Sequence, residues 1–167
     1  MKRFFVILMA LCLSTGAFAE EKEGTLTKMG QQVPAFSVKS LSGDVIDISK
    51  LRGKVVLINF FATWCGPCMK ELPQVEKQLW PRFKNKNFTM VSIGREHTRE
   101  QLLKFNSKKG FTFPIAADPK REVYSKFADK YIPRNVIVDK NGKIIYQGAG
   151  FSQQELDEMI NLIEKNL

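Results

Sequence analysis

The stretch NFFATWCGPCMKELP, Asn59 to Pro73, joins an apolar run to a helical pattern and carries two cysteines three positions apart. The run KVVLINFF (54–61) is β-branched and apolar throughout, which is typical of a central strand buried on both faces. After Cys65 the apolar residues follow helical spacing, which predicts a helix that ends near Trp80-Pro81 and is kinked at Pro73. The residues that show this spacing are Met69, Leu72, Val75 and Leu79. The sequence therefore predicts a buried strand that leads directly into a helix, with the cysteines at the junction.

The segments on the N-terminal side and in the middle of the chain add further strands and helices. PAFSVKSLSGDVIDIS (34–49) alternates around Ser42-Gly43 and predicts a β-hairpin. FTMVSIG (88–94) predicts a strand, and the next helix is expected between Thr98 as its N-cap and Gly110 as its stop. The stretch FTFPIAADP (111–119) carries no clear pattern and leads to a short helix expected around residues 121–130.

The C-terminal third predicts a hairpin followed by a helix. NVIVD and KIIYQG flank the turn signal KNG (140–142), and Ser152 opens an amphipathic helix. The apolar stripe of that helix consists of Leu156, Met159, Ile160 and Ile163. Strands that alternate with helices require crossover connections, so we expect one α/β domain with a mostly parallel core sheet, antiparallel strands added late and helices on both faces.

Residues 1–19 have the three parts of a secretory signal peptide. Lys2 and Arg3 precede an apolar run over residues 4–13, and small residues follow at Ala17 and Ala19. The apolar run is too short to span a bilayer, which takes about 20 residues. We predict cleavage after Ala19 and export; Leu11 is too large for a lipoprotein site at Cys12.

The charge pattern argues against nucleic-acid binding. The chain carries 26 Lys+Arg against 17 Asp+Glu, a net charge of +9, and the basic residues are scattered among acidic ones. A nucleic-acid site would require clustered positive charge. Attraction to an anionic membrane surface or an acidic partner stays open.

The cysteines of the exported chain indicate a reactive site. Once Cys12 leaves with the signal peptide, Cys65 and Cys68 are the remaining cysteines. A disulfide across so short a loop removes little entropy from the unfolded chain, so it would stabilise the fold only slightly. Structural zinc takes four nitrogen or sulfur ligands. The exported chain offers only Cys65, Cys68 and one histidine, His97, which is expected at the surface, so a zinc site would lack ligands. We therefore expect no metal and no cofactor, and interpret Cys65 and Cys68 as a pair that reacts chemically with a substrate.

The strand-to-helix junction suggests how the pair reacts. The unpaired N–H groups and the positive dipole end at a helix N-terminus favour a thiolate, so Cys65 is the predicted nucleophile. Cys68 lies one turn further along, within bonding reach of Cys65. In the predicted cycle Cys65 attacks a substrate disulfide, and Cys68 then resolves the mixed disulfide.

WCGPC after a buried strand, followed about 65 residues later by YIPRNVIVDKNGKI, resembles the thioredoxin superfamily. The lead-in from Gly30 to Pro73 resembles, more narrowly, the exported TlpA/ResA-like thiol-disulfide oxidoreductases. This resemblance covers residues 30–167 as one thioredoxin-like domain. It implies a thioredoxin fold with an N-terminal β-hairpin extension and an insertion between the second and third core strands, at about residues 95–131.

The resemblance also implies site residues. Ile132-Pro133 matches the family's cis-proline, which faces the cysteines and lines the substrate groove, with Arg134 expected at the groove's edge. Trp64 matches the aromatic residue beside the active cysteine; alternatively, it packs in the core. Asn59 stands where ordinary thioredoxins carry a buried acid that assists the second cysteine, a role that asparagine cannot perform.

Glu71 matches an acid that the ResA-like branch carries three residues after the second cysteine. We hypothesise that it relays the Cys68 proton; the alternative is a solvated charge on the helix.

Three functions follow from these expectations. The leading one is an exported reductase of protein disulfides that draws electrons from a membrane thiol donor. Apocytochrome c ahead of haem attachment is a usual substrate in the family. The second is an oxidase or isomerase that uses the same site in the opposite direction. The third is a thioredoxin-fold binding module or chaperone in which the cysteine pair is incidental.

Overall fold

Outside the region between residues 110 and 131, the strands and helices follow the predicted order along residues 23–167, the part of the chain that the computed structural model describes. The predicted signal peptide and its cleavage site lie outside the described residues. The strands are β1 (Ser37–Lys39), β2 (Val45–Asp47), β3 (Val55–Phe61), β4 (Phe88–Arg95), β5 (Ile115–Asp118), β6 (Arg134–Val138) and β7 (Ile144–Ala149). The α-helices are α1 (Gly66–Gln74), α2 (Trp80–Phe83), α3 (Arg99–Lys109) and α4 (Gln153–Asn166).

The central sheet is mixed, with strand order β5-β4-β3-β6-β7. The β3–β4 and β4–β5 pairs are parallel, whereas β6 and β7 form the predicted antiparallel hairpin beside β3. Every residue of β3 is buried, as its apolar sequence predicts. β1 and β2 pair as a separate antiparallel hairpin.

The two faces of the sheet are covered differently. The buried side chains of α1, α3 and α4 share one cluster with alternate residues of β3, including Leu57 and Phe61. The opposite face, which includes Ile58 and Phe60, packs against the β1–β2 hairpin and two 3₁₀ turns, Ile48–Leu51 and Tyr124–Lys126. The prediction of helices on both faces was therefore wrong for the α-helices. Two successive right-handed crossovers that advance in the same direction place α1 and α3 on the same face.

The helix after the cysteines is longer than predicted. A π-helical turn, Val75–Leu79, follows α1, and α2 then continues through Pro81 to Phe83. In this wider turn the N–H of Trp80 bonds to the carbonyl of Val75. The irregularity expected at Pro73 takes the form of this π turn, which is a usual site of helix distortion.

The region between α3 and β6 departs most from the prediction. The stretch that carried no pattern forms β5, which pairs with β4 and lies near one sheet edge. The helix expected around residues 121–130 is reduced to the 3₁₀ turn Tyr124–Lys126, where the Asp118 carboxylate accepts the N–H groups of Val123 and Tyr124. The predicted boundaries of α3 and α4 are confirmed by the caps at Thr98, Gly110 and Ser152.

Within residues 23–167, no helix has the length and apolar character needed to cross a bilayer.

Candidate active site

The two cysteines form a disulfide at the start of α1. Cys65 is the N-cap residue, and its Sγ accepts the N–H of Cys68 at 3.2 Å. Cys65 retains 5% of its surface, whereas Cys68 retains none. An incoming partner can therefore reach Cys65 but not Cys68.

The loop before β6 lies against Cys65. The Ile132-Pro133 peptide bond is cis, as the resemblance predicted. The carbonyl oxygen of Ile132 is 3.6 Å from Cys65 Sγ, a contact that becomes a possible hydrogen bond once the sulfur carries a proton. A groove of about 400 Å³ opens beside this loop, lined by Glu23, Tyr131, Ile132, Ala149 and Gly150. The groove is therefore linked to the reachable sulfur through Ile132, which lines the groove and contacts Cys65 Sγ.

Trp64 lies at the surface next to Cys65. Its side chain is 64% exposed, so the alternative of core packing was wrong. The Arg95 guanidinium lies 5.7 Å from the centre of the indole ring, in reach of a cation–π contact. Trp64 adjoins Cys65 in the chain, and Tyr131, which is 55% exposed, adjoins Ile132, whose carbonyl contacts Cys65 Sγ.

Glu71 is fully buried, which excludes the alternative of a solvated helix charge. Its Oε2 accepts a hydrogen bond from Asn59 Nδ2 at 2.9 Å, and its Oε1 accepts one from Asn135 Nδ2. Burial raises the pKa of Glu71 to about 7, although both amide hydrogen bonds act in the opposite direction. A carboxyl with a pKa near neutrality can take up and release a proton at physiological pH.

His97 does not lie at the surface as predicted. It is 6% exposed, and its Nε2 accepts the backbone N–H of Thr63 at 2.9 Å. Burial lowers the pKa of His97, which favours the neutral imidazole that this hydrogen bond requires. His97 therefore holds the loop that leads to Trp64 and Cys65.

Arg134 is buried and does not stand at the groove's edge as an exposed charge. Its guanidinium donates hydrogen bonds to the carbonyls of Glu23 and Lys130 and to Thr25 Oγ1. Glu23 itself lines the groove beside Ile132. Arg134 thus fixes the N-terminal segment as one wall of the groove.

Sequence reasoning missed three residues around the cysteines: Ser92, His97 and Asn135. Ser92 and Asn135 had a signal, because each is a polar side chain in a strand whose residues are mostly buried and apolar. His97 carried no such signal, because its loop is rich in charged residues. Among residues 23–167, no cluster of three or more His, Cys, Asp or Glu side chains is arranged to hold a metal.

Comparisons with known proteins agree with this fold. Residues 28–163 match the Redoxin family. The chain is 31% identical to the thiol-disulfide oxidoreductase ResA of Bacillus thuringiensis over 143 residues, covering 86% of this chain and 80% of the relative. The chain therefore belongs to the Redoxin family, as a TlpA/ResA-like thiol-disulfide oxidoreductase of the thioredoxin superfamily.

Solved structures give the same picture. A candidate protein disulfide isomerase from Bacteroides thetaiotaomicron has a TM-score of 0.82 and 34% identity, covering 86% of this chain and 92% of the other. A candidate thiol:disulfide interchange protein DsbE from Chlorobium tepidum has a TM-score of 0.72 and 28% identity, covering 83% and 97%.

Proposed function

We propose that this oxidoreductase is exported and reduces disulfides in protein substrates through Cys65 and Cys68. The observation that carries the proposal is the asymmetry of the pair. Cys65 caps a helix and contacts Ile132, which lines an open groove, whereas Cys68 is fully buried. Such a pair presents one sulfur to a partner and keeps the other for the second step.

In the reduced enzyme, the Cys65 thiolate attacks one sulfur of a substrate disulfide. This forms a Cys65–substrate bond and breaks the substrate's own S–S bond, releasing the first substrate sulfur as a thiolate. Cys68 then loses its proton and attacks Cys65 Sγ. The second substrate sulfur leaves, the Cys65–Cys68 disulfide forms, and the substrate has gained two electrons and two protons.

Different groups assist the two sulfurs. The Cys65 thiolate is stabilised by the first turn of α1, whose Cys68 N–H already points at Cys65 Sγ. Cys68 is buried and needs a base within the protein. Glu71 lies one helical turn further along α1, and we assign it the Cys68 proton, passed directly or through water. Trp64, Ile132 and Pro133 are assigned to contacts with the substrate chain.

The direction of electron flow rests on the Gly66-Pro67 dipeptide and on the resemblance. Thioredoxin has a reduction potential of about −270 mV, whereas the oxidant DsbA lies near −120 mV. A reductase outside the cytoplasm must be recharged, so we propose a membrane thiol donor as its electron source. Apocytochrome c is a candidate substrate. Residues 1–19 would serve as the signal peptide and residues 30–167 as the catalytic domain; the mass of the exported chain tests the cut after Ala19.

The first test is the reduction potential of the Cys65–Cys68 pair on Glu20–Leu167, equilibrated in dithiothreitol and glutathione buffers. A value at or below about −250 mV supports the reductase. A value between about −180 and −120 mV overturns the proposed direction in favour of an oxidase or isomerase. That second candidate is favoured by one observation, the description of the Bacteroides thetaiotaomicron neighbour as a candidate isomerase.

The second test concerns the mixed disulfide. Cys68→Ser should accumulate a substrate bonded to Cys65, whereas Cys65→Ser should capture none. Capture by Cys65→Ser instead would reverse the assigned roles. Reduction of insulin disulfides by the unmodified pair separates the enzyme from the third candidate, a binding module or chaperone, which would show no activity.

A further inference from the structure

We propose that Asn59 and Asn135 form an amide clamp that orients the Glu71 carboxyl and favours its ionised form. The clamp makes these two asparagines positioning residues for the proton transfer assigned above, so the inference rests on the proposed function.

The clamp is built by strand register. Asn59 on β3 is the direct partner of Ser92 on β4 and of Asn135 on β6. The three side chains therefore form one polar row across three adjacent strands. This row lies beneath α1, where Glu71 contacts it from the helix.

The hydrogen bonds of the row fix the orientation of both side-chain amides. Asn59 Nδ2 donates to Glu71 Oε2 and to Asn135 Oδ1, both at 2.9 Å, while Asn59 Oδ1 accepts the Ser92 hydroxyl. Asn135 Nδ2 donates to the other carboxyl oxygen of Glu71. Because both oxygens receive an N–H, the clamp stabilises the carboxylate more than the neutral acid.

An acid at position 59 would defeat this arrangement. Asn59 Nδ2 is within hydrogen-bonding distance of Glu71, so a carboxylate there would place two negative charges side by side in a buried site. Two such groups share one proton and neither titrates normally. The structure thus explains why asparagine occupies the strand position: the acid comes from α1 instead, and the strand supplies its donors.

Other charged and titratable groups also act on Glu71. The negative charge of Glu155 on α4 raises the Glu71 pKa, and Glu71 in turn contributes to the raised pKa of Tyr146 on β7. The Tyr146 ring lies against Gly148, the strand partner of Asn135. Burial and the charge of Glu155 raise the pKa of Glu71 while the clamp lowers it, and the pKa of the folded protein is about 7.

The test follows the Glu71 carboxyl directly, by ¹³C NMR titration of the oxidised protein, with Glu71→Gln to identify its resonance. Asn135→Leu keeps the branching at Cγ but removes one arm of the clamp, and it should raise the midpoint of the Glu71 titration by roughly one pH unit or more. Asn59→Asp should replace the single step by two coupled steps. Ser40→Ala is the matched control, a buried polar side chain that bonds to Ser42 and Asp44.

The outcomes separate the clamp from the proposed function. An unchanged or lowered midpoint in Asn135→Leu overturns the clamp, whatever the rate of the enzyme. A raised midpoint together with an unchanged rate in Glu71→Gln supports the clamp and removes the proton-transfer role. If Asn135→Leu does not fold, the side-chain ¹⁵N shifts of Asn59 and Asn135 in the unmodified protein decide, since they must titrate with Glu71.

Discussion

Nε2 of His97 accepts the backbone N–H of Thr63 at 2.9 Å, which ties the β4–α3 loop to the segment just before the reactive cysteine. His97→Ala removes this acceptor, and we expect a loss of about 1–2 kcal/mol in the free energy of unfolding. Urea denaturation measures the loss, and Lys104→Ala, at an exposed position on the following helix, should cause little change. Equal stabilities would show that water replaces the imidazole.

The same bond predicts a pH dependence. Because burial lowers the His97 pKa from its ordinary value of 6.5, the neutral form is favoured by folding. The contribution of neutral His97 to the free energy of unfolding is complete above about pH 6.5. It is lost as the pH falls through the lowered pKa of His97 in the folded protein. The difference in stability between the unmodified protein and His97→Ala should therefore narrow in acid; a constant difference from pH 8 to pH 5 would contradict this.

Glu71 predicts a pH dependence of the opposite sign. Its pKa rises from 4.5 to about 7 on folding, so the folded protein holds a proton that the unfolded chain has already released. Stability should fall as the pH rises between these values, by at most about 1.4 kcal/mol per pH unit. Glu71→Gln, compared with the unmodified oxidised protein by urea denaturation across pH 4–8, should lack this component. Parallel curves would rule out the raised pKa.

Glu71→Gln also tests the proton-transfer role. Cys68 would lose its assigned base, so the release of substrate from the mixed disulfide should slow by roughly 10²-fold, within the usual range for general base catalysis. Single-turnover quench experiments measure this step separately from the attack by Cys65. Glu76→Gln, on the same helical segment but bonded to Thr112, is the control. An unchanged release rate would assign Glu71 a structural role only.

Trp64 should matter to substrates and little to stability. Since its side chain is mostly exposed, Trp64→Ala should change the free energy of unfolding by no more than about 0.5 kcal/mol. We expect kcat/KM for a folded protein disulfide to fall roughly tenfold, as happens when an aromatic contact is lost from an interface. The rate with dithiothreitol serves as the control and should be retained. An equal loss with both reagents would indicate a distorted disulfide.

Arg134 should act through the N-terminal segment. Arg134→Met leaves the carbonyls of Glu23 and Lys130 without their donor, and we expect a loss of about 2–4 kcal/mol. Hydrogen exchange should rise first at Leu26, whose N–H bonds to the Phe127 carbonyl. Lys130→Ala, which removes an exposed ion pair with Glu23, should cause little change. Unaltered exchange at Leu26 in Arg134→Met would show that other contacts hold the segment.

Much of the fold was predictable because its signals are local. The buried run of β3, the caps at Thr98 and Ser152 and the left-handed Gly110 each act within a few residues of the element that they define. β5 was not predicted, because it is a short strand that is stabilised by pairing with β4 and by a bridge to the N-terminal hairpin, both distant in sequence. Its own sequence contains no alternation to reveal it.

The cysteine pair and its place at the start of a helix follow from the sequence alone, because the apolar strand, the N-cap and the helical spacing adjoin one another. The environment of Glu71 was decided only by the tertiary structure. Asn59, Ser92 and Asn135 come from three separate segments, and they form a row only because strand pairing sets their register. A one-residue shift in that register would turn a side chain to the other face of the sheet, so chain-local patterns cannot determine which polar groups meet.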